Sequence, residues 1–317
     1  MRKILALFLA VILVSCVKND AKKIDVSNTE VTFSLDRFDV DFYDNQNELS
    51  KLKQKYPFLF PKTVQDTVWN QKRENKDELE LYTETQKVYA TIDELHTELT
   101  SLFKHIKYYN PKFKSPRTIT MLTNIDYENR VVYADSLLFI SLDAYLGESH
   151  EFYGDYPAYV KQNNQKNHII VDVANSIINK QVLSENNRTF IDKMIYKGKK
   201  LYLLDRYLPE VTDKEKIGYS ETKYEWAVDN EEQIWQYFIG KDLLFSTDKS
   251  LDRRFLDIAP FSKFYMGEDN LSPGRIGEWV GWQIVRSYMK NNDVSLHELI
   301  RTKEEEIFKK SKYKPRQ

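Results

Sequence analysis

Apolar positions along the chain keep two different periods, and the change from one to the other divides the sequence. Alternation at Val31, Phe33 and Leu35, and again at Phe38, Val40 and Phe42, predicts strands. Leu49 and Leu52 predict a short helix, stopped by the run Tyr56-Pro57-Phe58-Leu59-Phe60-Pro61. A charged stretch at 72–80 then leads into a long helix. Its apolar positions Leu81, Val88, Ile92, Leu95, Leu99, Leu102 and Ile106 step by three, four and seven, and Pro111 marks its end. Three short strands follow at 117–123, 130–134 and 137–142, then a loop over 143–166 carrying Gly147, Gly154 and Pro157. From His168 onward the period is helical, at about 168–182, 187–207, 222–239, 276–291 and 295–309. The pattern predicts an α+β protein, a small mixed β-sheet followed by a mainly helical half, folded as one domain over 31–317. No internal repeat or low-complexity linker interrupts it.

The first residues follow neither period. Arg2 and Lys3 are followed by eleven uninterrupted apolar residues, 4–14, and then by Ser15 and Cys16. At about 1.5 Å per residue such a helix covers roughly half of the ~30 Å hydrocarbon core of a bilayer. That is too short for a comfortable span and the right size for a signal-peptide core. Leu13-Val14-Ser15-Cys16 has the lipobox pattern, an aliphatic residue, a small or apolar one, a small one and then cysteine. The expectation is a lipoprotein signal peptide at 1–15, lipid on Cys16 and a polar tether over 16–30. Several acyl chains on one cysteine give stable anchoring where a single chain does not. Val17 stands after the cysteine in place of the Asp that retains lipoproteins at the inner membrane. The expected location is therefore the outer membrane, facing the periplasm.

Composition fits this reading. Cys16 is the single cysteine among 317 residues, so neither a disulfide nor a second thiol is available. Without Arg2 and Lys3, 45 basic residues face 48 acidic ones, a balance that does not suggest a nucleic-acid partner. The 21 Tyr and 17 Phe promise an aromatic core.

Familiar chemistry is sparse. A zinc-peptidase helix needs His-Glu-x-x-His, so that two imidazoles one turn apart meet one metal. His150-Glu151 and His297-Glu298 begin that pattern, but Gly154 and Arg301 stand where the second histidine belongs. Neither a Gly-x-Ser-x-Gly elbow nor a phosphate loop occurs. The acidic residues Asp143, Glu148, Glu151 and Asp155 suit either a hard cation or a solvated loop. Gly274, Gly277 and Gly281 step by three and four onto one helical face. Since Gly costs about 1 kcal/mol against Ala inside a helix, a backbone approaches there, as tight packing or as a cleft floor.

Several stretches together resemble the gliding-motility lipoprotein B family (GldB) of the Bacteroidetes. They are the lipobox, Arg37-Phe38-Asp39 with Lys55-Tyr56-Pro57, Phe139-Ile140-Ser141-Leu142-Asp143-Ala144-Tyr145-Leu146-Gly147, and Gly281-Trp282-Gln283-Ile284-Val285-Arg286-Ser287-Tyr288. The resemblance implies an envelope lipoprotein needed for gliding and the linked type nine secretion machinery. It also implies envelope protein partners, no catalytic activity, no cofactor and no metal. The family is in turn similar to zincin-type metallopeptidases. On that likeness Asp172-Val173-Ala174-Asn175-Ser176 occupies the first zinc motif, and Lys197-Gly198 the later Glu-Gly. Asp172 and Ser176 then replace both histidines, Val173 the general base and Lys197 the third ligand. The expectation is a degenerate zincin-like scaffold whose vestigial cleft holds Asp172, Ser176 and Lys197, with Lys197 paired to Asp172. A hydrolase with unrecognised catalytic residues, on the acidic loop or His168, is the alternative.

Overall fold

The computed structural model describes residues 24–183 and 187–316; Cys16 and the predicted signal peptide lie outside them. Strand β1 (Leu35–Arg37) is followed by helices α1 (Phe38–Tyr43), α2 (Leu49–Lys55), α3 (Asp66–Glu74), α4 (Lys76–Val88) and α5 (Asp93–Tyr109). Strands β2 (Arg117–Met121), β3 (Val131–Ala134) and β4 (Leu137–Ser141) complete the sheet. Ten helices follow among the described residues: α6 (Ala158–Lys161), α7 (Ile169–Gln181), α8 (Phe190–Tyr207), α9 (Asp213–Ile217), α10 (Glu221–Asp229), α11 (Glu231–Gly240), α12 (Ser250–Phe255), α13 (Ile276–Asn291), α14 (Leu296–Arg301) and α15 (Glu304–Ser311). The fold is α+β.

The sheet runs in the order β1-β2-β4-β3 and is mixed. β1 pairs with β2 in parallel (Leu35↔Thr118), β2 with β4 in parallel (Ile119↔Phe139), and β3 with β4 antiparallel (Val132↔Phe139). Thr118, Ile119 and Thr120 are all buried, as suits a strand with neighbours on both sides. Edge strand β3 alternates half-buried and exposed residues instead.

The helices expected at 222–239 and 295–309 each divide in two, α10 with α11 and α14 with α15, and two further expectations about local structure are corrected. The alternation Phe38, Val40, Phe42 belongs to α1, not to a strand. Phe38 and Phe42 satisfy an i, i+4 spacing as well as a period of two, so the apolar pattern alone cannot separate the cases. Asp39 does separate them. Phe38, Asp39, Phe42 and Tyr43 are buried together, which only a helix allows. The Asp39 carboxylate accepts from Arg37, Gln86 and the Thr120 hydroxyl. The second correction splits the single long helix expected near 81–106 into α4 and α5. The chain breaks at Tyr89, which is fully buried and donates its hydroxyl to the Tyr145 carbonyl at 2.8 Å. Val88 and Ile92 are four apart, so the apolar period continues in phase across the break and conceals it.

The helical half is organised on α13. Its buried residues cover nearly every face, and Trp279 and Trp282 are within it. Removing one such indole from water contributes about 5 kcal/mol before the entropy of ordering it. Helix α8 crosses α13 at backbone contact. A Cβ on Gly281 would stand 1.8 Å from the Met194 carbonyl oxygen, and one on Gly198 2.3 Å from the Gly281 carbonyl. Gly277 faces Met194, Phe255 and Leu256. Helix α15 packs on the same pair, tied by Lys199, which donates to Glu304 at 2.8 Å and to the Thr302 carbonyl at 2.6 Å. Helix α7 lies between α8 and β3 and joins the two halves. Where α8 begins is fixed by a reciprocal cap between Thr189 and Asp192.

Candidate functional site

A cavity of about 870 Å³ opens between α6, the α9–α10 turn and the start of α13. Local chemistry shapes each wall. Gly218 ends α9 in the left-handed region (φ 68°), which glycine adopts without cost. Its carbonyl accepts from Gln162 Nε2 at 2.9 Å, joining this turn to the end of α6. Ser220 then caps α10 through its side chain. Buried Tyr219 donates its hydroxyl to the Gly274 carbonyl at 2.7 Å, and burial raises its pKa far above the ordinary range. Gly274 precedes α13 rather than lying within it. It lines the cavity, and a Cβ there would stand 2.2 Å from the Ala259 carbonyl oxygen.

Arg275 is the strained residue of this wall, with φ 58° at the N-terminus of α13. A non-glycine residue there costs on the order of 1–3 kcal/mol and persists only where the surroundings over-determine it. They do. Its guanidinium donates to the Ile217 carbonyl, lies 5.8 Å from the Tyr219 ring centre and stands 3.6 Å from Glu278. Opposite it, Lys223 donates to the carbonyls of Asn270, Leu271 and Ser272, at 2.6, 3.2 and 2.7 Å. Burial without a carboxylate partner lowers its pKa.

Beyond Arg275 lies a buried polar group. Asp172 accepts from the Tyr145 hydroxyl at 2.8 Å and pairs with Arg130 at 3.2 Å. Arg130 also donates to Asn164 Oδ1 at 3.1 Å and stacks on the Tyr145 ring. His168 Nε2 stands 3.6 Å from Asp172. Burial lowers the pKa of His168 despite that carboxylate, so its ring is neutral at pH 7 and the contact is not an ion pair. On the other side of Tyr145, a smaller cavity of about 340 Å³ contains Glu94, Glu98 and Lys166. Burial, reinforced by Glu94, pushes Glu98 up to about 7, while Lys166 pairs with Glu94 at 2.5 Å.

The cleft expected around Asp172, Ser176 and Lys197 is corrected. Helices α7 and α8 do pack together, but Asp172 and Lys197 are not partners. Lys197 pairs with Glu278 of α13 at 2.9 Å, and the Ser176 hydroxyl turns back to the Val173 carbonyl. The cation that Asp172 meets comes from Arg130, beside the sheet, not from α8. The acidic loop also disperses. Buried Asp143 accepts from the backbone of Thr123 and Ile125 at 3.0 and 2.8 Å, and burial pushes its carboxyl up to about 6. Glu148 lines the large cavity, whereas Glu151 and Asp155 are exposed. His150 accepts from the Phe152 amide, and Glu298 completes a helix cap with Ser295. Among the described residues no group of three or more His, Cys, Asp and Glu side chains is placed to hold a metal ion.

Sequence reasoning missed the strongest electrostatic knot. Arg286 reaches Asp205 through two nitrogens, at 2.8 and 2.7 Å, and Asp213 through two more contacts at 2.7 and 2.8 Å. Trp282 and Lys216 also hold Asp205. An arginine directly after the buried stripe Gly281-Trp282-Gln283-Ile284-Val285 was the available signal, because a charge drawn into a core requires a partner.

The profile of the family described as gliding motility protein GldB matches residues 19–315. The chain belongs to the GldB family. No curated protein and no solved structure matches it. Among the described residues of this GldB-family chain, no helix is long and apolar enough to cross a membrane.

Proposed function

We propose that this chain is a lipid-anchored envelope lipoprotein that serves gliding motility, and the linked type nine secretion machinery, by binding other envelope proteins rather than by catalysis. The observation that carries the reading is the GldB-family match, which extends from residue 19 to residue 315. The lipobox ending at Cys16 supplies the anchor, and Val17 after it favours the outer membrane, facing the periplasm. Support for a binding role comes from the positions the zincin likeness singled out. Asp172, Ser176 and Lys197 are each engaged in separate contacts: Asp172 ties α7 to Arg130 at the start of β3, Ser176 bonds back within α7, and Lys197 ties α8 to α13. A bound Asp, a back-bonded Ser and a paired Lys have no shared point at which to activate water.

The test is complementation of a deletion strain of a gliding bacterium. Loss of movement and of adhesin secretion is expected on deletion, with both restored by the wild-type chain. Asp172→Asn and Ser176→Ala should restore them too, whereas Cys16→Ala should not. Normal movement in the deletion strain would remove the motility reading. Loss of movement with folded, membrane-bound Ser176→Ala would remove the non-catalytic one.

A further inference from the structure

The large cavity collects more positive than negative charge, although the Arg275 guanidinium stands 3.6 Å from Glu278, itself paired with Lys197. Lys161, Lys223 and Arg275 line it against a single carboxylate, Glu148. Glu148 already accepts from Gln165 Nε2 at 3.1 Å. Lys223 is bound by three neutral carbonyls, which leave its charge in place. Among the described residues nothing pairs with half-buried Lys161. Two helix N-termini open onto the same space, that of α10 at Ser220 and that of α13 at Arg275. Each adds positive potential from its helix dipole, although Ser220 Oγ accepts from the Lys223 amide and Ser262 Oγ from the Ile276 amide. The chain as a whole carries a net charge of only −1, so this is a local concentration.

The remaining wall is apolar and stiff: Pro157, Pro260 and Pro273, with Tyr159 and Tyr219 between them. At the rim Ile258 is 71% exposed, and Leu271, whose carbonyl holds Lys223, is 50% exposed. A cationic floor beneath an exposed apolar rim suits a ligand that carries both carboxylates and hydrophobic side chains. A lone phosphate or carboxylate would occupy a small part of about 870 Å³ and leave Ile258 bare. A bilayer presents a flat surface, which a concave site cannot follow.

We propose that this cavity is the docking site for an extended acidic segment of a partner polypeptide. Its carboxylates lie against Lys161, Arg275 and the two helix N-termini, and its apolar side chains lie on the proline–tyrosine wall and Ile258. The inference deepens the binding role proposed above and rests on it for its biological meaning, but its test is separate.

Full-length chain in detergent is titrated with a fluorescent dodecapeptide of alternating Glu and Tyr, and with the matching Lys–Tyr peptide. The Glu–Tyr peptide should bind at least about tenfold more tightly, and more weakly as salt rises. Lys161→Glu should weaken it by about tenfold or more, and Lys161→Arg should retain it. Among the described residues the Lys161 side chain makes no hydrogen bond or ion pair that the substitution would break, so the fold is expected to survive. Ile258→Asp, at an exposed position, gives a second loss of binding that does not depend on Lys161. Equal affinity for both peptides, or unchanged affinity in both Lys161→Glu and Ile258→Asp, overturns the proposal. Displacement by millimolar inorganic phosphate overturns it in favour of a small-anion site. Flotation with phosphatidylglycerol vesicles, without peptide binding, overturns it in favour of a membrane surface. Absence of peptide binding leaves the deletion phenotype untouched, so the two readings fail independently.

Discussion

Gly198 on α8 meets the backbone of Gly281 on α13 so closely that a Cβ on Gly198 would stand 2.3 Å from the Gly281 carbonyl carbon and oxygen. From the other side, a Cβ on Gly281 would stand 1.8 Å from the Met194 carbonyl oxygen. The obstacle is backbone in both directions, so no side chain can swing aside. Gly281→Ala should therefore destabilise the protein by about 3 kcal/mol or more, well beyond the gain of about 1 kcal/mol in helix propensity. Gly240 closes α11 with nothing within 4 Å of its Cβ position. Gly240→Ala should stabilise by up to about 1 kcal/mol. Urea denaturation of both variants checks the contrast, and equal midpoints would contradict the contact.

The contrast between Gly281 and Phe38 shows what the sequence could reveal. Glycines at helical spacing signal close approach, because the helix cost of Gly277 and Gly281 requires compensation. The identity of the approaching helix, α8, depends on tertiary contact and leaves no mark on the local pattern. Phe38 and Phe42 fit two periods at once, and only the burial of Asp39 decides between them. The cationic cavity was harder to read. Lys161, Lys223 and Arg275 come from three distant segments, and no short motif joins them. The Asp172–Lys197 pairing failed for the same reason. Opposite charges on adjacent helices need not meet when other elements supply partners, here Arg130 for Asp172 and Glu278 for Lys197.

Arg286 is expected to be the most costly charge to remove. It satisfies Asp205 and Asp213 together, and both carboxylates are largely buried. Burial alone would raise the pKa of Asp213; the hydrogen bonds and charge of Arg286 outweigh it and hold the carboxyl below its usual range. Arg286→Met should cost about 3–5 kcal/mol, because it leaves two largely buried carboxylates with only the Lys216 cation between them. Arg286→Lys should recover part of the loss, since one ammonium cannot reproduce the planar fork. Asp213 has a lowered folded pKa, so its contribution is present above the unfolded pKa and is lost as pH falls through the folded one. Melting temperatures across acid pH should accordingly fall more steeply for wild type than for Arg286→Met.

Glu98 acts in the opposite direction. Its folded pKa of about 7 lies above the ordinary carboxylate value, so the folded chain binds the extra proton between the two. Stability contributed by the neutral carboxyl is present at low pH and falls as pH rises from about 4.5 toward 7. Glu98→Gln should flatten that slope and raise stability at pH 8 by about 1 kcal/mol, a modest figure because water still reaches part of the carboxyl and screens it. Asp143, pushed up to about 6 by burial, contributes a parallel slope that persists in Glu98→Gln. Thermal melts from pH 5 to 8 measure both, and a variant as pH-sensitive as wild type would exclude Glu98 as a source.

Asp172 and Arg130 should be coupled, and Asp172 and Lys197 should not. The Arg130–Asp172 pair spans 3.2 Å, with side chains 17% and 19% exposed, and it ties α7 to the beginning of β3. The Tyr145 hydroxyl shares the same carboxylate oxygen, and the Arg130 guanidinium stacks on the Tyr145 ring. Removing Asp172 therefore leaves the Arg130 charge without a carboxylate and a buried hydroxyl without its acceptor. Removing Arg130 leaves Asp172 with that hydroxyl and a neutral His168. Each single change to Ala should destabilise, and the double change should be milder than their sum by about 1–2 kcal/mol. Lys197 faces Glu278 across a different interface, α8 against α13, and shares no partner with Asp172. Its change to Ala, combined with Asp172→Ala, should be additive to within about 0.5 kcal/mol. Coupling confined to Arg130 would place the Asp172 charge with the sheet. Coupling to Lys197 instead would restore a charged groove between α7 and α8, and with it the vestigial site that the zincin likeness implies.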